Sequence, residues 1–318
     1  MGGEGDLTPG SDSLDHDRLE QFLWWMCERQ RIWHRRDHGK DFPWTSDEIL
    51  QEYFFCRVHR ELDKTTQYYL REIGDNDRAR PYTSDYDVDD LLLNTVVFRF
   101  FNRISTFEYL GRVTPAHEYD IDRTVQRLQA RHKDTGVFSS AYRVSTQDWA
   151  GADTKFENIM YGVIRDDVLA DLNTYRAEIT RARSLREVHN VLTTIRGVGD
   201  FLAYEIATDL NYTVLPYSEN DFVNVGPGAE KALEMIFGDS SQANIHWFVG
   251  RAQENLFEEH DLDFRYWDMK PLLTARDFEH SLCEWRKYVE IDEEGADKRK
   301  FSPDPHNHPD QNTFGDFV

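Results

Sequence analysis

Residues 193–210 read TTIRGVGDFLAYEIATDL, and the reading of this stretch decides the fold. Leu185, Val188, Leu192 and Ile195 recur at three- and four-residue steps and predict one helix; Leu202, Ile206 and Leu210 predict a second. Between them Gly197 and Gly199 flank Val198. The glycines permit the positive φ and close backbone approach of a tight hairpin, with Val198 plugging the core between the helices. Free N–H groups and the dipole at the start of the second helix favour an anion such as a DNA phosphate. A contact of that kind holds backbone and carries no base sequence. The ligand-free alternative is a plain αα-hairpin.

The charge balance argues against nucleic acid. Among 318 residues, 37 are Lys or Arg and 59 Asp or Glu, a net charge of −22. Such a field repels DNA at low salt. Acidic surfaces also keep proteins hydrated in a salt-rich cytoplasm, where screening shrinks long-range repulsion to a few Å. A halophile-like adaptation is favoured over an acidic partner-binding role, and DNA binding stays open.

Working outward, residues 1–17 and 291–318 are polar, acidic and poor in apolar residues, which predicts disordered tails around a helical body at 18–290. Leu19, Phe22, Leu23, Met26 and Ile32 mark an amphipathic first helix. Thr45 or Ser46 can cap a second, whose apolar pattern runs from Ile49 to Ile73. Further helices are expected near 87–109, 119–132, 154–160, 165–180, 184–195, 200–210, 228–237, 241–258 and 274–289. VLPY at 214–217 is too short to anchor a sheet. The class is all-α, with two lobes flanking a cleft. No apolar run approaches the roughly 18 residues of a membrane span, so a cytoplasmic protein is expected. Cys27, Cys56 and Cys283 lack CxxC spacing, read as buried thiols, and suggest no metal site. No cofactor motif is present either: NVGPGAEK (224–231) lacks the spacing of a phosphate-binding P-loop, as does the rest of the chain.

Downstream of the hairpin, Asp221 lies 22 residues after Gly199, just before another helix. This pattern resembles the helix-hairpin-helix DNA glycosylase superfamily, in which an Asp at that place stabilises positive charge on the sugar or activates a nucleophile beside a flipped base. The resemblance makes Asp221 the catalytic candidate. A helix cap or a solvated loop acid is the plain alternative. The Schiff-base lysine of strand-cleaving members has no counterpart, because Phe201 stands there, and their four-cysteine cluster is missing; a repair lyase is disfavoured.

Three segments carry a narrower likeness: ERQRIWHRRDHGKDFPWTSDEILQEYFFCRVHRELDKTTQYYLRE (28–72), NDFVNVGPGAEKAL (220–233) and ARDFEHSLCEWRKY (275–288). Together they resemble a DNA base hypermodification family, which comprises the helical domain of 5-hydroxymethyluracil DNA kinases and the alpha-glutamyl/putrescinyl thymine pyrophosphorylases. The resemblance implies a glycosylase-like helical fold acting on phosphorylated 5-hydroxymethyluracil in DNA, transferring an amino acid or polyamine amine with loss of (pyro)phosphate. Its partners would be DNA with a modified thymine or uracil, the amine co-substrate and a separate DNA kinase. Two other readings are a monofunctional glycosylase for a modified base and a non-catalytic DNA-binding subunit of the kinase.

For such chemistry, leaving-group charge needs cations or N–H donors. Arg29, Arg31, Arg35 and Arg36 on the first helix, with Arg57 and Arg60 on the next, are candidate phosphate clamps, since a guanidinium offers two parallel bonds to an oxyanion. On a helix, Arg57, Glu61 and Lys64 share one face and Arg60, Asp63 and Gln67 another. Solvated ion pairs are the plain reading of that alternation, as of Glu284 with Lys287. Among the many aromatics, which are more often core, Trp33 and Trp44 beside the arginines are the candidates for base stacking. Gly226 and Gly228 form a second anion-friendly turn, expected to share one cleft with Asp221, Gly197, Val198 and Gly199.

Overall fold

The computed structural model describes residues 14–74, 88–139, 144, 146–266 and 272–301. Helices are the regular elements among them, and one antiparallel bridge joins Tyr53 to Lys300. None of these helices is long and apolar enough to cross a membrane. The chain divides into two compact units, residues 1–64 with 223–318 and residues 65–222.

The first unit holds α1 (His16–Asp37), α2 (Glu48–Glu52), α11 (Pro227–Phe237), α12 (Gln242–Glu254) and α13 (Ala275–Glu294). Each start has a local cause. Asp15 accepts the Arg18 amide at 3.0 Å to cap α1, Asp47 accepts the Leu50 amide at 2.7 Å to cap α2, and Thr274 with Asp277 forms a capping box on α13. Pro227 opens α11, and Gly238 closes it in the left-handed conformation. The core is aromatic: Phe22 meets Phe248 and Trp285, and Phe248 stacks on Phe278 at 5.1 Å. Gly228 lets α11 approach α13, since a Cβ there would sit 2.5 Å from Cys283 Sγ.

The second unit begins inside α3 (Lys64–Tyr68), after Lys64; α3 continues in π-helical turns to Ile73, and the unit runs through α4 (Val88–Phe101), α5 (Ile104–Leu110), α6 (Ile121–Asp134), α7 (Lys155–Glu157, extended by π-helical turns to Leu169), α8 (Leu172–Arg181) and α9 (Leu185–Leu192) to α10 (Asp200–Thr213). Helix α4 is buried nearly all round. Its Arg99, 1 % exposed, grips Asp209 of α10 with two bonds of 2.5 Å and reaches Glu205 at 3.0 Å. A buried guanidinium beside two carboxylates is tolerated because its N–H groups have charged acceptors.

The hairpin expected at 193–210 forms between α9 and α10. Ile195 and Val198 are buried, and Gly197 has φ +77°. Asp167 accepts the Arg196 amide at 2.6 Å, and the Arg196 guanidinium donates to the Gly162 carbonyl, so the turn is anchored on both sides.

Elsewhere the structure departs from expectation. The helical body begins at His16 and α13 runs to Glu294, past both expected boundaries of 18 and 290; charged faces hid the apolar stripe at each end. Residues 299–301 lie against 52–54 through amide bonds from Phe54 to Arg299 and from Phe301 to Glu52. The outer stretches 1–13 and 302–318 of the expected tails lie outside the described residues, as does most of the expected break after Ile73. The helix expected from Ile49 to Ile73 is interrupted after Glu52. Of the three thiols read as buried, Cys27 is buried, Cys56 half-buried and Cys283 exposed.

Gly197→Ala combines a positive φ with a Cβ 2.4 Å from Trp149, and is expected to cost at least about 2 kcal/mol. Gly199→Ala meets nothing within 4 Å and is expected to cost less than about 1 kcal/mol. Denaturant unfolding of both variants checks the contrast; equal losses would mean that the turn is not held as described.

Candidate functional site

The site begins where α2 stops. Tyr53 takes extended backbone (φ −108°, ψ 149°), and residues 53–59 continue without helix to a short 3₁₀ turn at Arg60–Leu62. Such a segment survives inside a helical unit only if its backbone groups find other partners. Here they do. From α1, the Arg29 guanidinium donates to the Phe55 carbonyl at 3.0 Å and to the Cys56 carbonyl at 3.1 and 3.2 Å. From α13, Glu284 accepts the Cys56 amide at 2.7 Å and Asp277 the Arg60 amide at 2.8 Å. Asp63 turns back to accept the Arg57 amide at 3.0 Å, while the Arg57 side chain donates to the Leu62 carbonyl.

A pocket of about 720 Å³, counting its open mouth, lies against this segment, wholly within the first unit. Aromatic rings of Trp33, Trp44, Tyr53, Phe54 and Phe301 line it, with the cations Arg29, Arg36, Arg57 and Lys64 and the single carboxylate Asp63. Trp44 is fixed by its indole N–H on the Lys40 carbonyl at 2.6 Å, and the Arg36 guanidinium lies 5.5 Å from its ring centre. Cations therefore outnumber acids in this pocket of an acidic protein.

Burial shapes the charges. It pulls Arg29 down to about 10, with Arg57 beside it adding to the effect, and it lowers Arg57 as well. Burial alone would raise Asp63, but His280, Arg60 and the Arg57 amide together hold it well below the usual carboxylate range. It stays ionised at neutral pH and is a weak base. The Cys56 thiol is pushed up, first by burial and then by Asp63 and Glu284.

Of the residues expected from sequence, Trp33, Trp44, Arg57 and Asp63 meet at this pocket. Arg31 and Arg35 sit on the same helix but face Glu28 at 3.2 and 3.6 Å, and Arg35 also donates to the Trp44 carbonyl. Arg60 is buried, 3.3 Å from Asp63, and Glu61 is half-buried outside the lining. The face expected to align Arg57 with Glu61 does not exist, because residues 57–59 are not helical, whereas Arg60 and Asp63 do pair across the 3₁₀ turn. Glu284 and Lys287 form the plain ion pair, at 2.7 Å. Cys56 and Phe301 were not expected here; no local spacing signals them, since Phe301 arrives from a stretch read as tail.

The remaining candidates are divided between the units. Gly197, Val198, Gly199 and Asp221 belong to the second unit, and Gly226 and Gly228 to the first. The Gly197 and Gly199 amides donate to no described residue. Asp221 is exposed, with its amide on the Ser218 carbonyl at 3.0 Å. The Gly226 amide points to Glu279 at 3.3 Å, and Gly228 serves the packing of α11 on α13.

Residues 16–296 match the family model described as "5-hmdU DNA kinase, helical domain", and the chain belongs to this family. A protein of Bacillus phage SP10 named 5-hmdU DNA kinase is 32% identical over 294 residues, covering 84% of this chain and 45% of its own length. The chain thus spans a little under half the length of that curated relative. No solved structure matches significantly.

Arg29→Met removes the donor to two carbonyls of the extended segment and is expected to cost about 2 to 3 kcal/mol. The tryptophan fluorescence of the native protein should shift as Trp33 and Trp44 lose their wall. Unchanged stability with an unchanged spectrum would remove Arg29 from its bracing role.

Proposed function

We propose, from the chain's place in this family, that it acts in modification of DNA carrying 5-hydroxymethyluracil and takes the modified nucleotide into the pocket of its first unit. The observation that carries the reading is the pocket's make-up: stacking rings beside a cluster of cations, with one fixed carboxylate, in a protein of net charge −22. A flipped nucleotide offers a π-face and anionic oxygens together, and this wall complements both.

The chemistry we infer is transfer. A phosphorylated hydroxymethyl group on a pyrimidine has an activated carbon, and an amino acid or polyamine amine displaces (pyro)phosphate from it. Departing negative charge is stabilised by Arg36, Arg57 and Lys64. The hairpin at 197–199, where the Gly197 and Gly199 amides lack described partners, holds a backbone phosphate, and Asp221 of the same unit is the candidate base. The protein works in the cytoplasm, where an acidic exterior suits high salt. A second reading, a DNA-recognising helical unit that serves a kinase, is favoured by the match of residues 16–296 to a family model described as the helical domain of a 5-hmdU DNA kinase.

Nucleosides from DNA bearing 5-hydroxymethyluracil, or its phosphate, incubated with the protein and a pool of amines in molar KCl, separate the readings by mass spectrometry. A heavier nucleoside supports transfer, and Asp221→Asn is expected to slow its formation by about 10²- to 10⁴-fold while DNA binding persists. Binding without product leaves the subunit reading; a released base points to a glycosylase. Trp44→Ala is expected to weaken binding of the modified strand by about 1 to 3 kcal/mol, and a binding isotherm unchanged by that substitution places the nucleotide elsewhere.

A further inference from the structure

We propose that Cys56, Asp63 and His280 form a site for a zinc-class divalent cation in the wall of the pocket. Their ligating atoms, a thiol sulfur, a carboxylate oxygen and an imidazole nitrogen, all lie within 4.8 Å of one another. A tetrahedral ion about 2.0 to 2.3 Å from each would hold such atoms roughly 3.5 Å apart, so side-chain rotations close the set without moving the backbone.

That backbone is already fixed for the task. The Cys56 amide and carbonyl are held by Glu284 and Arg29, Asp63 is tied to the Arg57 amide, and His280 stands on α13. Two further observations point to a missing partner. His280 Nε2 is buried and makes no hydrogen bond, although Asp63 Oδ2 is 3.1 Å away. That oxygen has its cationic neighbours at 3.1 and 3.3 Å, beyond the roughly 2.7 to 2.9 Å of an engaged charge-assisted bond. With its ring neutral, as metal ligation requires, His280 Nε2 presents a lone pair beside Asp63 Oδ2, and an ion between them satisfies both.

The donor set selects the metal. A thiolate with an imidazole and one carboxylate suits zinc-class ions, whereas magnesium and calcium take oxygen alone. On binding, the Cys56 proton and any second proton on the His280 ring leave to solvent, and thiolate and carboxylate together balance the two positive charges. The ion comes between Asp63 Oδ2 and its present neighbours His280 and Arg60. Because Cys56 and Asp63 line the pocket, an ion held by three protein ligands keeps a position for an oxygen of whatever the pocket binds, where it acts as a Lewis acid. The site stands on these residues alone and does not rest on the nucleotide reading of the pocket.

Chelator-treated, reduced full-length protein titrated with Co²⁺ provides the test. The expected result is one ion per chain with a thiolate-to-cobalt charge-transfer band. That band is lost in Cys56→Ser and retained in Cys283→Ser, and His280→Ala weakens the affinity by at least about tenfold. A spectrum that stays that of the aqueous ion, or a band that survives Cys56→Ser, overturns the proposal. Should Cys56→Ser fail to fold, iodoacetamide labelling of the native protein decides: Zn²⁺ is expected to abolish alkylation of Cys56 and spare Cys283. Equal labelling of Cys56 with and without zinc overturns the site.

Discussion

The guanidinium of Arg29 takes the carbonyls of Phe55 and Cys56, and the wall of the pocket exists because those carbonyls need no helical partner. Were residues 53–59 to continue α2, their carbonyls would point along the helix axis to amides four residues on and would not be open to Arg29. The brace is a charge in a buried place, which costs desolvation and shows as the lowered Arg29 basicity. Three hydrogen bonds to carbonyl oxygens offset that cost. Glu284 completes the arrangement from the opposite side, by accepting the Cys56 amide while pairing with Lys287.

Net charge and local charge make different statements about this molecule. The excess of acid sets the long-range field, which salt screens within about 10 Å at 0.1 M and within a few Å at molar strength. The pocket is decided at contact distance, where Arg36, Arg57 and Lys64 stand around rings that exclude water. An acidic surface therefore slows the approach of an anion without abolishing its binding, and high salt favours such a protein over one that relies on steering.

Much of the fold was legible in the sequence, and the parts that were not share a cause. The hairpin at 193–210 was readable because glycine pattern, helical stripes and plug residue all lie within one local window, and its Gly197 has the positive φ that the reading required. Residues 49–73 were misread because Phe54, Phe55, Val58 and Leu62 keep near-helical spacing in a segment whose hydrogen bonds go to Arg29, Glu284 and Asp277, residues distant in sequence. Trp33, Trp44, Arg57 and Asp63 could still be singled out, since density of rings and cations is a compositional signal. Cys56 beside His280 could not, because only the packing of α13 on the extended segment brings them together.

The same distinction bears on the two candidate regions, which apart from Phe301 fall within the stretch matched by the family model. A hairpin that offers backbone amides can hold any phosphate, and so it fixes register along a strand while saying nothing about which base is present. Selection between thymine and a hydroxymethylated or phosphorylated derivative turns on a single substituent and needs a walled cavity that surrounds the base. Only there can added oxygens meet fixed cations while an unmodified methyl leaves those cations unsatisfied. In the proposed reading the hairpin accordingly contributes affinity common to all DNA, and discrimination resides in the pocket that Arg29 holds open.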